Sequence, residues 1–148
     1  MRYQGFFKPF NPQKYRGDPT NIIYRSSWEL KMMMHLDKHQ DVVWWQSEET
    51  VVPYRSPVDN KIHRYFIDFT VKVKTKEGKY KILLIEVKPK YQTVPPVLEE
   101  KKQKSKKYIR EVINWSVNSS KWRAAQQYAH KRGYEFIIMT EDHLDIRT

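Results

Sequence analysis

The chain has no cysteine, which removes disulfide frameworks, thiolate zinc sites and cysteine nucleophiles together. That absence fits a reducing compartment. No run approaches the ~20 apolar residues that cross a bilayer, and Met1–Phe10 is polar and basic where a secretory signal would have its apolar stretch. The expectation is a protein outside the membrane, working in the cytoplasm or inside a particle assembled there. Acids are in deficit: 17 Asp and Glu against 28 Lys and Arg leave a formal charge of +11 and a sequence pI of about 9.7. A polyanion is the implied partner. Charge alone does not separate DNA from RNA, or an enzyme from a passive binder. No internal repeat is visible, and 148 residues suit a single domain with one core and one active site.

What is present has a clear order. Residues 1–24, with Pro9, Pro12, Gly17 and Pro19, follow neither helical nor strand periodicity and read as an extended arm carrying Lys8, Lys14 and Arg16. Trp28, Met32 and Leu36 then recur at helical spacing, predicting a helix over Ser26–Lys38 whose start, Ser26-Ser27-Trp28-Glu29, has capping-box form. Asp41–Glu48 and Val51–Tyr54 read as strands, the second marked as an edge by Pro53, and Ser56–Asn60 is turn chemistry. Two long runs, Ile62–Lys74 and Tyr80–Lys88, face each other across Lys76-Glu77-Gly78. After the sheet-breaking Val94-Pro95-Pro96 and a basic run over 101–107, Ile109–Ser116 suggests a short helix, with a strand as the alternative. A further helix, capped by Asn118 or Ser119, stops at Gly133, and Tyr134–Met139 is a last buried strand. The succession indicates an α/β or α+β sheet covered by helices.

The chemistry concentrates in the central hairpin. Asp68 interrupts the apolar run Tyr65-Phe66-Ile67-Asp68-Phe69, an expensive place for an unpaired charge. Glu86 and Lys88 end the apolar strand Ile82–Val87 and, two apart, point to one face. Phosphodiester hydrolysis at neutral pH needs a divalent ion held by carboxylates, an activated water and a nearby cation. Three carboxylates and a lysine suffice. Register supplies a test: a three-residue loop at Lys76-Glu77-Gly78, with Gly78 left-handed, sets Thr75 against Lys79 and Asp68 against Glu86. A two-residue turn sets the two acids on opposite faces unless a bulge intervenes.

The pattern of Asp68, seventeen residues, then Glu86-Val87-Lys88 resembles the signature of the PD-(D/E)XK, or restriction-endonuclease-like, superfamily, with Ile67 in place of the usual proline. Tyr24-Arg25-Ser26-Ser27-Trp28-Glu29 resembles the Arg-Ser-x-x-Glu helix of its transposon-end and junction-resolving branches. A match over nearly the whole chain, carried by Asn11-Pro12-Gln13-Lys14-Tyr15, Pro57-Val58-Asp59, His63-Arg64-Tyr65-Phe66 and Lys121-Trp122-Arg123-Ala124-Ala125, is similar to the head completion nuclease family of T-even-type tailed phages. The resemblance implies an α/β restriction-endonuclease-like core, a mixed sheet flanked by helices, in a single domain over 1–148. It implies Mg²⁺, with Mn²⁺ as a substitute, held by Glu29, Asp68 and Glu86, while Lys88 orients the attacking water and stabilises charge. The implied role is finishing the DNA-filled head before the tail joins. DNA and phage head or neck proteins are then the partners, with a homo-oligomer also open, in the host cytoplasm during assembly and in the virion head if the protein stays there. Two other readings stand beside it: a structural head-completion or DNA-capping protein in which cutting is vestigial or partner-activated, and an endonuclease subunit of a transposition complex.

The candidate DNA contacts are Arg25, His63, Lys90, Lys101, Lys102, Lys104, Lys121, Arg123 and Gln126. Lys121 and Arg123 are expected at a helix start, where backbone amides help to bind phosphate, and Gln126 one turn on. His35 and His39, four apart on a helix, lack a third ligand and are expected to be solvated or partly packed. Trp44, Trp45, Trp122 and Tyr128 are expected in the core, and Phe6, Phe7, Tyr15 and Tyr91 outside it.

Overall fold

Ser26 starts the first helix as its sequence requires. In the computed structural model, which describes residues 4–97 and 105–144, helix α1 (Ser27–Lys38) begins with the Glu29 amide donating to Ser26 Oγ at 3.1 Å. Strands β6 (Phe69–Lys74) and β7 (Tyr80–Val87) form the central hairpin, with Lys74 opposite Tyr80 and Phe69 opposite Ile85. The turn is the three-residue loop, closed by Thr75 N–H donating to Lys79 O at 2.7 Å, with Gly78 at φ 79°. One step beyond Phe69–Ile85, this register faces Asp68 with Glu86.

Strand β3 (Val42–Ser47) pairs antiparallel with β6, and β8 (Glu135–Met139) lies parallel to β7, giving a mixed sheet in the order β3-β6-β7-β8. The alternation of side chains on β7 divides the core. Ile85, with Trp45, Phe69 and Val71, packs under Met32, Met33 and Leu36 of α1. Leu84, on the other face, packs under Trp122, Ala125 and Ala129 of helix α2 (Lys106–Arg132). The architecture is therefore the expected α/β one, a mixed sheet with helices on both faces.

Three expectations are corrected. The run Ile62–Lys74 is not one strand. It breaks at Ile67-Asp68 into β5 (Ile62–Phe66) and β6, and its partner breaks opposite into β3 and β4 (Val51–Arg55), so that β4 and β5 pair as a separate ribbon. The two helices expected around 109–132 are one, capped by Ser105 and ended by Gly133 at φ 71°. Asn118 and Ser119 lie inside it, because Trp115 and Trp122 stack edge to face at 6.0 Å along the helix, and that packing outweighs the capping preference of the two polar residues.

The N-terminal stretch, finally, is extended in backbone but laid on the body. Its strand β1 (Gly5–Phe6) pairs with β2 (Ile23–Tyr24), and Phe7, Tyr15 and Ile22 are buried. Phe7 and Tyr15 meet the fully buried Trp45 edge-on at 5.9 and 4.7 Å, so they belong to the core rather than outside it. Two of the three cations among the described residues of this stretch are used internally. Lys14 Nζ donates to the carbonyls of Asp37 and His39 at the end of α1, and Arg16 lies over the half-buried Trp44 ring at 4.6 Å. Phe6 and Tyr91 are exposed as expected, and Tyr128 packs partly buried on the α2 cluster. After β8, helix α3 (Glu141–Leu144) returns to α1. No helix among the described residues is long and apolar enough to cross a membrane.

Candidate active site

The site forms at the corner where the β3–β6 pair bends into the β4–β5 ribbon. Between Ser47↔Phe69 and Val51↔Phe66, three residues, Glu48-Glu49-Thr50, oppose two, Ile67-Asp68. This is a bulge, and Glu48 takes its positive φ of 55° there. Glu48 N–H donates to Asp68 O at 3.1 Å and Ile67 N–H to Thr50 O at 2.9 Å, so the bend is held from both sides. The corner turns Asp68 out of the ladder and toward β7, where Val87 N–H donates to its Oδ2 at 2.8 Å.

Asp68 is half-buried, whereas Glu86, the second acid, is buried. One carboxylate oxygen accepts the Tyr65 hydroxyl from β5, and the other lies 3.8 Å from Lys88 Nζ. Lys121, on α2, sets its ammonium over the Tyr54 and Tyr65 rings at 5.8 and 5.5 Å and acts on Glu86 as a second cation. Burial, and then the charge of Glu86, push the Asp68 carboxyl well above the usual carboxylate range, against the Val87 amide and Lys88. Burial also raises Glu86, against the Tyr65 hydroxyl and both lysines. Tyr65 is raised in turn by burial and by the Glu86 charge beside it.

Glu29 stands on the first turn of α1, its Oε2 accepting the Ser26 hydroxyl at 3.3 Å. Burial and the charge of Glu48 raise it, and its own charge raises Asp68. Three of the four expected centre residues, Asp68, Glu86 and Lys88, are thus drawn together, with Glu29 within electrostatic reach. Among the described residues no three His, Asp or Glu side chains close around a single point. Mg²⁺ does not require that: it keeps several waters and is held through one or two carboxylates. The donor set is all oxygen, which suits a hard cation, and two neighbouring acids, one buried and one half-buried, are relieved by a cation between them. The residues fit the ion.

The candidate DNA contacts divide. Arg25 pairs with Glu48 at the corner and remains half exposed. His63 pairs with Asp59 at 2.8 Å near the ribbon tip, and Lys90 with Asp142 at 3.1 Å. Lys121 and Arg123 are not at a helix start. They lie within α2, where the amides are spent on the helix, so the expected amide assistance is absent. Lys121 faces the acids, whereas Arg123 and Gln126 line a shallow exposed groove with Gln127 and His130 on the outer side of α2. Lys101, Lys102 and Lys104 lie outside the described residues. The His35 and His39 rings lie tilted to one another at 5.1 Å at the rim of an apolar cavity of about 200 Å³.

Sequence reasoning missed Tyr65 and Glu48. Both join the site only because of the bulge, and no local signal announces three residues opposing two across a pair of strands that are not neighbours in sequence.

Comparison with known proteins yields two findings. A family model described as "TnsA-like endonuclease N terminal" matches residues 39–141, a span that holds Asp68, Glu86 and Lys88 and begins after Glu29. A head completion nuclease of Enterobacteria phage T4 is 42% identical over 146 residues, covering 97% of this chain and 95% of the relative. With the mixed sheet and its two helical layers, the family match makes the core restriction-endonuclease-like.

Proposed function

The chain belongs to the TnsA-like endonuclease family, and from that premise we propose that it is a magnesium-dependent DNA endonuclease that acts in completing a phage head, after packaging and before the tail joins. The role in head completion rests on the likeness to the phage relative, whose name carries it. The chemistry rests on one observation: Asp68, half-buried, and Glu86, buried, meet beside Lys88 at the bulge corner.

In this reading Asp68 and Glu86 hold Mg²⁺, with Glu29 at the rim. The bound ion supplies Lewis-acid stabilisation of phosphoryl charge and lowers the pKa of water to a useful range. Lys88 orients the water that attacks phosphorus and meets the negative charge that grows on the phosphoryl oxygens. The Val87 amide fixes one oxygen of Asp68, and the Tyr65 hydroxyl fixes one oxygen of Glu86, leaving the others free for the ion. Lys121 balances the charge of Glu86 from the α2 side. DNA is the polyanion that a chain of charge +11 attracts.

Supercoiled plasmid at low salt tests the reading. Nicked or linear product is expected in Mg²⁺ and none in EDTA. Duplex binding without cutting in Mg²⁺ or Mn²⁺ would favour the capping reading instead. Tyr65→Phe should slow cleavage about tenfold, the order of one lost charge-assisted hydrogen bond, while duplex affinity stays unchanged. A loss of affinity with an unaltered rate at saturating DNA would contradict the positioning role.

A further inference from the structure

The β4–β5 ribbon has two faces, and among the described residues only one is used by the fold. Val52, Tyr54 and Tyr65 point inward and pack with Trp122 of α2. The other face presents Val51, Pro53 and Arg55 from β4 and Ile62, Arg64 and Phe66 from β5, directly paired as Val51↔Phe66, Pro53↔Arg64 and Arg55↔Ile62. Ile62 is 59% exposed and Phe66 44%. Exposed apolar side chains on one open sheet face, with polar groups beside them, are a feature of interaction surfaces.

Charge selects the occupant. No acid stands among these six residues, and the acid of the adjoining turn, Asp59, is already paired with His63. Among the described residues neither arginine is in an ion pair. Arg64 lies over the Phe66 ring at 5.8 Å, and Arg55 donates one guanidinium N–H to Asn60 O at 2.7 Å, which leaves donors on both for an anion. Position makes the same choice. Phe66 is two residues from Asp68 and pairs with Val51 at the last step of the ribbon before the bulge, so this face ends at the corner that holds the site.

We propose that the outer face of the β4–β5 ribbon is the platform on which duplex DNA rests beside the bond to be cut, Arg55 and Arg64 taking backbone phosphates while Ile62 and Phe66 lie against the sugars. The platform rests on the nuclease reading and adds to it a duplex-binding surface outside the carboxylate centre. Contacts of this kind position the substrate without reading its sequence.

Replacing both arginines, Arg55→Gln with Arg64→Gln, tests it. Both side chains are exposed, so the unfolding midpoint should stay near that of the parent. Duplex affinity is measured across a salt series in the Asp68→Asn background, to prevent cutting. Loss of two phosphate contacts should make the slope of log affinity against log salt shallower by roughly 2 and weaken binding on the order of tenfold near 0.15 M salt. With Asp68 intact, the pair should raise KM and leave kcat in place. Lys76→Gln with Lys79→Gln, at the β6–β7 turn at the far end of the hairpin, removes the same net charge and should alter neither quantity by as much. If the unsubstituted protein binds and cuts but the arginine pair keeps its salt slope and KM, the platform is wrong and the nuclease reading stands; the face then belongs to a protein partner. A protein that neither binds nor cuts duplex DNA would overturn both.

Discussion

Asp68→Asn is expected to reduce DNA cleavage on the order of 10³-fold or more, the equivalent of about 4 kcal/mol in the barrier, and at the same time to raise the unfolding midpoint of the metal-free protein. Both effects come from one cause. The Asp68 carboxyl group is half-buried beside a second, buried acid, and lost hydration together with the charge of Glu86 holds it well above the ordinary range. Without a divalent cation the folded state at neutral pH therefore carries an electrostatic cost, while with one the same arrangement is a binding site. Asparagine retains the oxygen that accepts the Val87 amide and removes the charge. Each kcal/mol so gained moves the midpoint by roughly 2–4 °C in a chain of this size. The gap between variant and parent should depend on pH. A carboxyl whose folded pKa is raised adds stability that is fully present below its unfolded value, about 4, and is lost as pH rises through the folded value. The variant's advantage should therefore be greatest at neutral pH and shrink as the pH falls toward 4. Adding Mg²⁺ at neutral pH should raise the midpoint of the parent and leave that of the variant nearly unmoved. Thermal unfolding in EDTA and in Mg²⁺ checks all three statements, and a less stable variant at neutral pH would contradict them.

The second large effect is structural. Asp37 is fully buried at the end of α1, and its carboxylate accepts the backbone amides of Phe10 and Asn11 at 2.8 and 3.0 Å. Its own carbonyl takes Asn11 Nδ2 at 2.9 Å and Lys14 Nζ at 3.1 Å. This clamp ties the N-terminal stretch to the helix and so keeps Phe7 and Tyr15 on Trp45. Asp37→Ala leaves two amides without an acceptor and should cost about 3 kcal/mol, roughly 6–12 °C in the midpoint. Asp37→Asn keeps one acceptor and should lose about half as much. Denaturant unfolding of the two variants measures the difference, and an Asp37→Ala protein as stable as the parent would show that the N-terminal stretch adds little to the fold.

Where local chemistry decides the structure, the sequence was readable. Ser26 with Glu29 specified the start of α1, whereas Gly78 marked the place of the turn and left two lengths open, of which the structure has the three-residue loop that faces Asp68 with Glu86. Glu86 and Lys88 were legible because strand alternation alone places them on one face. Where two distant segments decide together, it was not. The bulge opposing Glu48-Glu49-Thr50 to Ile67-Asp68 depends on which strands pair, so Tyr65 and Glu48 could not be assigned. The edge-to-face packing of Trp115 with Trp122 runs a single helix through Asn118-Ser119 against their local preference. Phe7 and Tyr15 lie in a proline-rich stretch without periodicity, and only the partner, Trp45, makes them core residues.

Asp68 and Glu86 are expected to cut DNA rather than merely to contribute to the fold. Single-turnover cleavage of a duplex in Mg²⁺, measured for the parent and for Asp68→Asn with binding of the same duplex followed in parallel, tests it most directly. Equal binding with cutting confined to the parent is the predicted result; equal binding with equal cutting, or with none in either, would contradict it.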